Sequence, residues 1–274
     1  MSLAPSKRRP SAKPAVDLGH SFDGFTAVHH PDGHFLFRRI EESLLHEAPA
    51  TGSVTLDVAC GAGKLAARIA ANGGQAWGLE PSAEMLELSG FVVPPGSVTL
   101  VRGIAETLPF RDDSFDSILC QGALDHFAEP DAFMREAARI VKPGGRVVVA
   151  LANYESLSCR IGRLGDYFGR AVLRRSPSPQ RPYWQPPSDH HHTGHLSFVR
   201  GLGGDALALE RCYGISLLWL APGWGPLLQR LPPRLADITL ATLDRIGHKT
   251  PALADIIVSV WVSAWRPGTE RRRV

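Results

Sequence analysis

The residues best suited to chemistry form one run, Leu56-Asp57-Val58-Ala59-Cys60-Gly61-Ala62-Gly63-Lys64, in which an apolar strand ends in a carboxylate and passes through a Gly-x-Gly turn into a helix. Glycines at such a turn let a bound molecule approach the main chain, and the first amides of the helix are free to donate to it. Glu80 closes the next apolar segment, where a carboxylate can accept a bidentate pair of hydrogen bonds from ribose hydroxyls. The chemistry this spacing predicts is the holding of a nucleoside-bearing cofactor.

The glycines do not decide which one. Gly61-x-Gly63-x-x-Ala66 followed by Glu80 also fits a nicotinamide dinucleotide fingerprint. Charge separates the two. The formal net charge of +3 is unevenly spread: residues 15–155 carry 10 basic and 19 acidic groups, while basic residues crowd the arm 1–14, the stretch 156–182 and the tail. A pyrophosphate is poorly hosted beside Asp57 in so acidic a segment. A cationic, phosphate-free cofactor such as S-adenosylmethionine suits it.

The elements that must position these groups read as α/β. Phe35 to His46 has amphipathic helical spacing, and strands are expected at Val54–Ala59, Gln75–Leu79, Ser97–Val101, Ser114–Cys120 and Arg146–Leu151, with helices at Lys64–Ala71, Ser82–Leu88 and Asp131–Val141 between them. Lys142-Pro143-Gly144-Gly145 reads as a tight turn. Such alternation implies a Rossmann-like, doubly wound, mostly parallel sheet. Ser156 to Pro187 breaks the pattern and reads as an insertion; further strands are expected at Leu207–Leu218 and Asp255–Trp265, with a helix around Leu235–Ile246.

In this order the motifs resemble the class I S-adenosylmethionine-dependent methyltransferases, in particular the small-molecule type 11 group. Ala105-Glu106-Thr107-Leu108-Pro109-Phe110 is similar to that family's AExLPF segment, Ser114 to Ile118 to its fourth strand, Leu124-Asp125-His126-Phe127 to the segment after it, and Val141 to Val149 to LKPGGRLVV. The resemblance covers roughly residues 50–155 and implies a seven-stranded sheet with an antiparallel last strand. It further implies that Asp57, Ala59, Cys60, Gly61 and Gly63 surround the methionine end of the cofactor, that Glu80 holds the ribose, and that Pro81 and Met85 line the adenine pocket. The family carries an aspartate against the adenine amino group where this chain has Ile104, which leaves the backbone amides of Ala105 and Glu106 to read the ring. Gln121 faces the cofactor or acceptor.

The implied reaction is in-line displacement, in which an acceptor O, N, C or S atom takes the methyl group as the sulfonium becomes a thioether, and positioning supplies most of the acceleration. Where a proton must leave, His126 is the first candidate base and Asp125 the second. Asn153 and Tyr154, past the fifth strand, are expected to touch the acceptor. Trp184, Trp219 and Trp224 point to an apolar or aromatic small molecule as that acceptor.

No metal site is expected. Asp189-His190-His191-His192 with His195, and His29, His30 and His34, lack paired ligand spacing and read as solvated loops. The arginines from Arg160 to Arg181 read as a solvated helical face. Cys60, Cys120, Cys159 and Cys212 form no CxxC pair and read as reduced packing residues. With no spanning segment and no secretory signal, a cytoplasmic protein is expected, and basic tails give no ground for a nucleic-acid partner. The organisation expected is a disordered arm at 1–17, a cofactor-binding core at 18–153, a lid at 154–204, the last strands at 205–267 with a helical segment inserted at 219–253, and a basic tail at 268–274. Two rival readings stand beside this one: a nicotinamide-dependent oxidoreductase, and a binding module that holds S-adenosylmethionine without transferring its methyl group.

Overall fold

A short strand with apolar side chains on both faces must be covered from both sides, and this governs the centre of the molecule. β1 (Val54–Val58) is buried over all but its first residue. It pairs in parallel with β2 (Gln75–Glu80) on one side and β4 (Phe115–Gln121) on the other, Val58 lying opposite both Leu79 and Cys120. The computed structural model describes residues 30–48, 51–174, 176 and 181–263; the expected arm at 1–17, His29 and the tail at 268–274 lie outside them.

The sheet has seven strands in the order β3-β2-β1-β4-β5-β7-β6. From β1 the chain steps outward to β2 and β3 (Val98–Arg102), then crosses back over β1 to β4 and on to β5 (Val141–Ala152). The carboxyl ends of β1 and β4 therefore flank the point where winding reverses, the usual crevice of an open α/β sheet. β7 (Ile256–Ser263) runs antiparallel between β5 and β6 (Leu207–Ile215), as expected. One face is covered by α1 (Pro31–Glu47) and α2 (Lys64–Ala71), whose Leu36, Ile40, Leu44, Leu65 and Ile69 share a core with Val148, Val258 and Val260. α3 (Ala83–Val92) packs against β2 and β3. The other face carries α4 (Pro130–Ile140), with Phe133, Met134 and Ala137 in the core that holds Leu56, Ile118 and Trp261.

Differences from the sequence expectation have local causes. Val141 pairs with Phe115 and Arg146 with Ser117, so Lys142 to Gly145 bulge out of a continuous β5 where a separate turn was expected. β6 stops at Ile215 because Ser216 and Leu218 take φ values of 62° and 68°, which no strand sustains. The insertion after β5 holds two helices, α5 (Leu157–Ala171), capped by Ser156, and α6 (Leu196–Gly201), capped by His195. α7 (Trp224–Arg230) and α8 (Pro233–Lys249) join β6 to β7. Among the described residues no helix is long and apolar enough to cross a membrane.

Two polar joints hold the loops that border the crevice. Arg139 donates to the carbonyls of Leu108 and Phe110 at 2.9 and 2.8 Å, while Glu136 accepts the Leu108 amide at 2.9 Å, clamping the segment after β3 onto α4. Buried Asp255 accepts the Ser158 hydroxyl at 2.7 Å and the Trp219 amide at 2.9 Å, fastening both insertions to the start of β7. Burial pushes this carboxyl up to about 7. Arg139→Ala is expected to lower the free energy of unfolding by about 2 kcal/mol, and the Arg139→Ala, Glu136→Ala pair by less than the sum of the single changes. Urea unfolding of the three variants checks this; simple additivity would dissolve the clamp.

Candidate functional site

The turn after β1 is built from left-handed residues: Ala59, Gly61 and Gly63 have φ of 56°, 54° and 77°. For alanine this conformation costs roughly 1 kcal/mol, so the surroundings must enforce it. The Cys60 amide donates to Leu79 O at 3.1 Å and the Gly63 amide to Cys60 O at 2.9 Å. Glu80, wholly buried, accepts the Gly61 amide on Oε2 and the Ser82 amide on Oε1, each at 2.9 Å. Each carboxylate oxygen keeps a second lone pair. A Cβ on Gly63 would stand 2.8 Å from Val93, which caps the end of α3, whereas one on Gly61 would meet nothing within 4 Å. Gly63 is thus required by packing, and Gly61 borders open space.

Asp57 is buried one residue before the end of β1, and burial pushes its carboxyl up to about 8, with the Ala66 amide of α2 opposing and the Glu80 charge adding to the rise. Its present surroundings disfavour the ionised form, and a cation placed beside it would favour that form. The Cys60 and Cys120 thiols are pushed up by burial, consistent with packing. On the far side of the turn, Pro81 and Met85 flank Ser82, whose hydroxyl accepts the Met85 amide and caps α3. Ile104 is 48% exposed beside buried Ala105. The Glu106 carboxylate accepts the Ala128 amide at 3.0 Å and so braces the loop before α4.

Beside this turn, at the carboxyl ends of β4 and β5, lies a cavity of about 350 Å³. Gln121 and Gly122 border it from β4; Leu36, Phe37 and Ile40 of α1 with Trp219 form an apolar wall; Tyr154 and Tyr183 close it from the insertion. Asp125 and His126, in a single helical turn at Leu124–His126, also line it. Burial holds the His126 imidazole below its ordinary value, against the pull of Asp125. Asn153 borders the cavity too, but its amide nitrogen lies against the carbonyls of Pro251, Ala252 and Ala254 at 3.3, 3.3 and 2.8 Å. It braces the connection to β7.

The histidine run is not a solvated loop, and here the sequence expectation is corrected. The amides of His191 and His192 donate to Asp125 O at 2.9 and 3.1 Å, and the Tyr154 amide donates to Gly194 O at 2.9 Å. A Cβ on Gly194 would come within 2.1 Å of Ala152 O, so only glycine allows the loop this close to β5. Docking carries His190 into the cavity wall, with Nδ1 2.8 Å from Asp125 Oδ2. His190, Asp189 and Asp255 are site residues that sequence reasoning missed. The histidine run itself was the available signal, but nothing local to it points to Asp125.

A methyltransferase-domain model matches residues 56–149. An uncharacterized methyltransferase of Mycobacterium leprae is 35% identical over 105 residues, 38% of this chain and 39% of the relative. The demethylmenaquinone methyltransferase of Clavibacter sepedonicus is 37% identical over 103 residues, 37% of this chain and 42% of the relative. The chain thus spans about two-fifths of the length of these curated relatives. Among solved structures, a chain of the complex between the Haloferax volcanii Trm112 activator and a methyltransferase superposes with a TM-score of 0.57 at 19% identity, covering 87% of this chain and 96% of that one; this likeness speaks for the fold. With the motif order, the sheet order and these matches in hand, residues 56–149 are identified as a methyltransferase domain, set in the seven-stranded Rossmann-like sheet of that fold.

Proposed function

We propose that the protein transfers the methyl group of S-adenosylmethionine to a small molecule bound in the cavity at the ends of β4 and β5. The observation that carries this reading is the juxtaposition of a cation-seeking buried carboxylate, Asp57, with the open space at Gly61, on the strand next to the cavity floor. The residues fit the cofactor: Asp57 and the main chain of Ala59, Cys60, Gly61 and Gly63 take its methionine end, the spare lone pairs of Glu80 take the ribose hydroxyls, and Pro81, Met85, Ile104, Ala105 and Glu106 border the adenine. When bound, it supplies an electrophilic methyl group on a positive sulfur.

Gln121 stands between the two compartments and orients cofactor and acceptor toward each other. The acceptor atom forms its bond to the methyl carbon as the carbon–sulfur bond breaks and its electron pair passes to sulfur; any proton on the acceptor leaves to solvent. The chain's work is alignment and exclusion of water. The wall of Leu36, Phe37, Ile40, Tyr154 and Trp219 selects an apolar or ring-bearing acceptor, and Asp125 and His126 are the polar groups in reach of it. One relative is named for demethylmenaquinone, in keeping with such an acceptor.

Calorimetry with S-adenosylmethionine and with a nicotinamide dinucleotide tests the reading, and binding of the second in place of the first would end it. Asp57→Ala is expected to weaken S-adenosylmethionine binding at least about 30-fold and Gly61→Val to abolish it, with circular dichroism unchanged in both; wild-type affinity would remove this site. Because Asp57 is largely protonated at pH 7 when free, binding a cation is expected to release about one proton, read as a difference in apparent enthalpy between buffers of different ionisation enthalpy. An enthalpy independent of buffer would mean that Asp57 does not meet the charge. Mass spectrometry of a cell extract supplied with methyl-labelled cofactor would identify the product; tight binding with no labelled product would indicate a binding module.

A further inference from the structure

His190 and Asp125 contact each other in a way that ordinary hydrogen bonding does not explain. Nδ1 of His190 and Oδ2 of Asp125 are 2.8 Å apart, yet Nδ1 has no aligned hydrogen-bond partner, and Oδ1 of Asp125 is buried with none at all. The two side chains are 8% and 3% exposed. Groups this buried normally pair, because an orphaned polar atom forfeits its hydration with nothing in return. Buried ligand atoms left without a hydrogen bond and gathered within reach of one another are an arrangement that a cation can satisfy.

A third ligand stands beside them. The ring of His126 lies edge-on to that of His190 with centroids 4.2 Å apart, and one ligand atom from each of Asp125, His126 and His190 falls within 4.8 Å of the others. Asp189 Oδ2 lies 3.6 Å from His126 Nδ1, beyond hydrogen-bond length, and adds a negative charge beside the cluster. All three residues border the cavity. Two of them are held by secondary structure at Leu124–His126, and the third by the docked loop.

We infer that Asp125, His126 and His190 bind one divalent transition-metal ion, with its remaining coordination positions open to the cavity. Two imidazoles and one carboxylate suit zinc, manganese, cobalt or iron over magnesium and calcium, which prefer oxygen. The inference rests on the reading of this cavity as the acceptor site. The ion would hold an acceptor oxygen and favour its ionised form, the proton passing to solvent water and the ion undergoing no redox change. Ring-bearing acceptors with a hydroxyl, or with two neighbouring oxygens, are the class such a site takes.

The test uses the full, untagged chain, stripped with a chelator and titrated with cobalt(II), followed by calorimetry and visible absorption. Expected are about one equivalent bound, d–d bands without a thiolate charge-transfer band, and affinity at least about tenfold weaker in His190→Ala and Asp125→Asn. His191→Ala, in the same loop but facing solvent, is expected to bind as the wild type. Absence of saturable binding would overturn the inference, as would binding that survives His190→Ala and is lost in His191→Ala, or a thiolate band. Because this readout involves no methyl transfer, a protein that binds S-adenosylmethionine but not cobalt would lose the metal site and keep its proposed function.

Discussion

The carboxylate of Glu80 is the joint on which the cofactor side of the molecule depends. A fully buried carboxylate is tolerable only when hydrogen-bonded, and Glu80 meets that demand with two amides on separate segments, Gly61 in the turn after β1 and Ser82 at the start of α3. One side chain therefore fixes a turn containing three left-handed residues, including a non-glycine, and sets where α3 begins. Charge-assisted bonds of this kind are about twice as strong as neutral ones. That strength is set against the strain at Ala59 and against the awkward burial of Asp57, so the neighbouring strand is pre-formed in a conformation it would not hold by itself.

The acceptor side depends on a comparable device of opposite design. Asp255, with the amide of Asn153, gathers the departure of the chain from β5, the loop after β6 and the return into β7. Where Glu80 shapes a short turn, Asp255 anchors long excursions whose own cores are small, such as the cluster of Phe35, Leu228, Ala236 and Leu240. The cavity lies between these two fastenings, and its walls come from segments far apart in sequence.

Strand and helix positions in the core were legible because each is a short apolar run between turn residues. The candidate site was legible where it is local: Asp57, the glycines and Glu80 lie at or just past the ends of adjacent strands, as periodicity places them. It was not legible where partners are distant. That His190 meets Asp125 follows from backbone hydrogen bonds of His191 and His192 to a carbonyl, an interaction with no side-chain signature. Asn153, expected at the acceptor, borders the cavity while its amide nitrogen donates to carbonyls near β7, a bracing role that its sequence position does not reveal. The end of β6 was misjudged because positive φ at Ser216 and Leu218 falls on residues that carry no turn signal.

The antiparallel β7 also bears on how such a molecule can diversify. Ile256 pairs with both Ala152 and Ile215, so the segment from Ser216 to Asp255 leaves and re-enters the sheet at adjacent strands, about 4.8 Å apart. A segment with neighbouring ends can be lengthened, shortened or exchanged without moving a strand. The connection from β5 to β6 instead crosses β7 and runs from the carboxyl end of β5 to the opposite end of the parallel β6. Exchange of the β6–β7 segment can therefore reshape the wall around Trp219 while every strand stays in place.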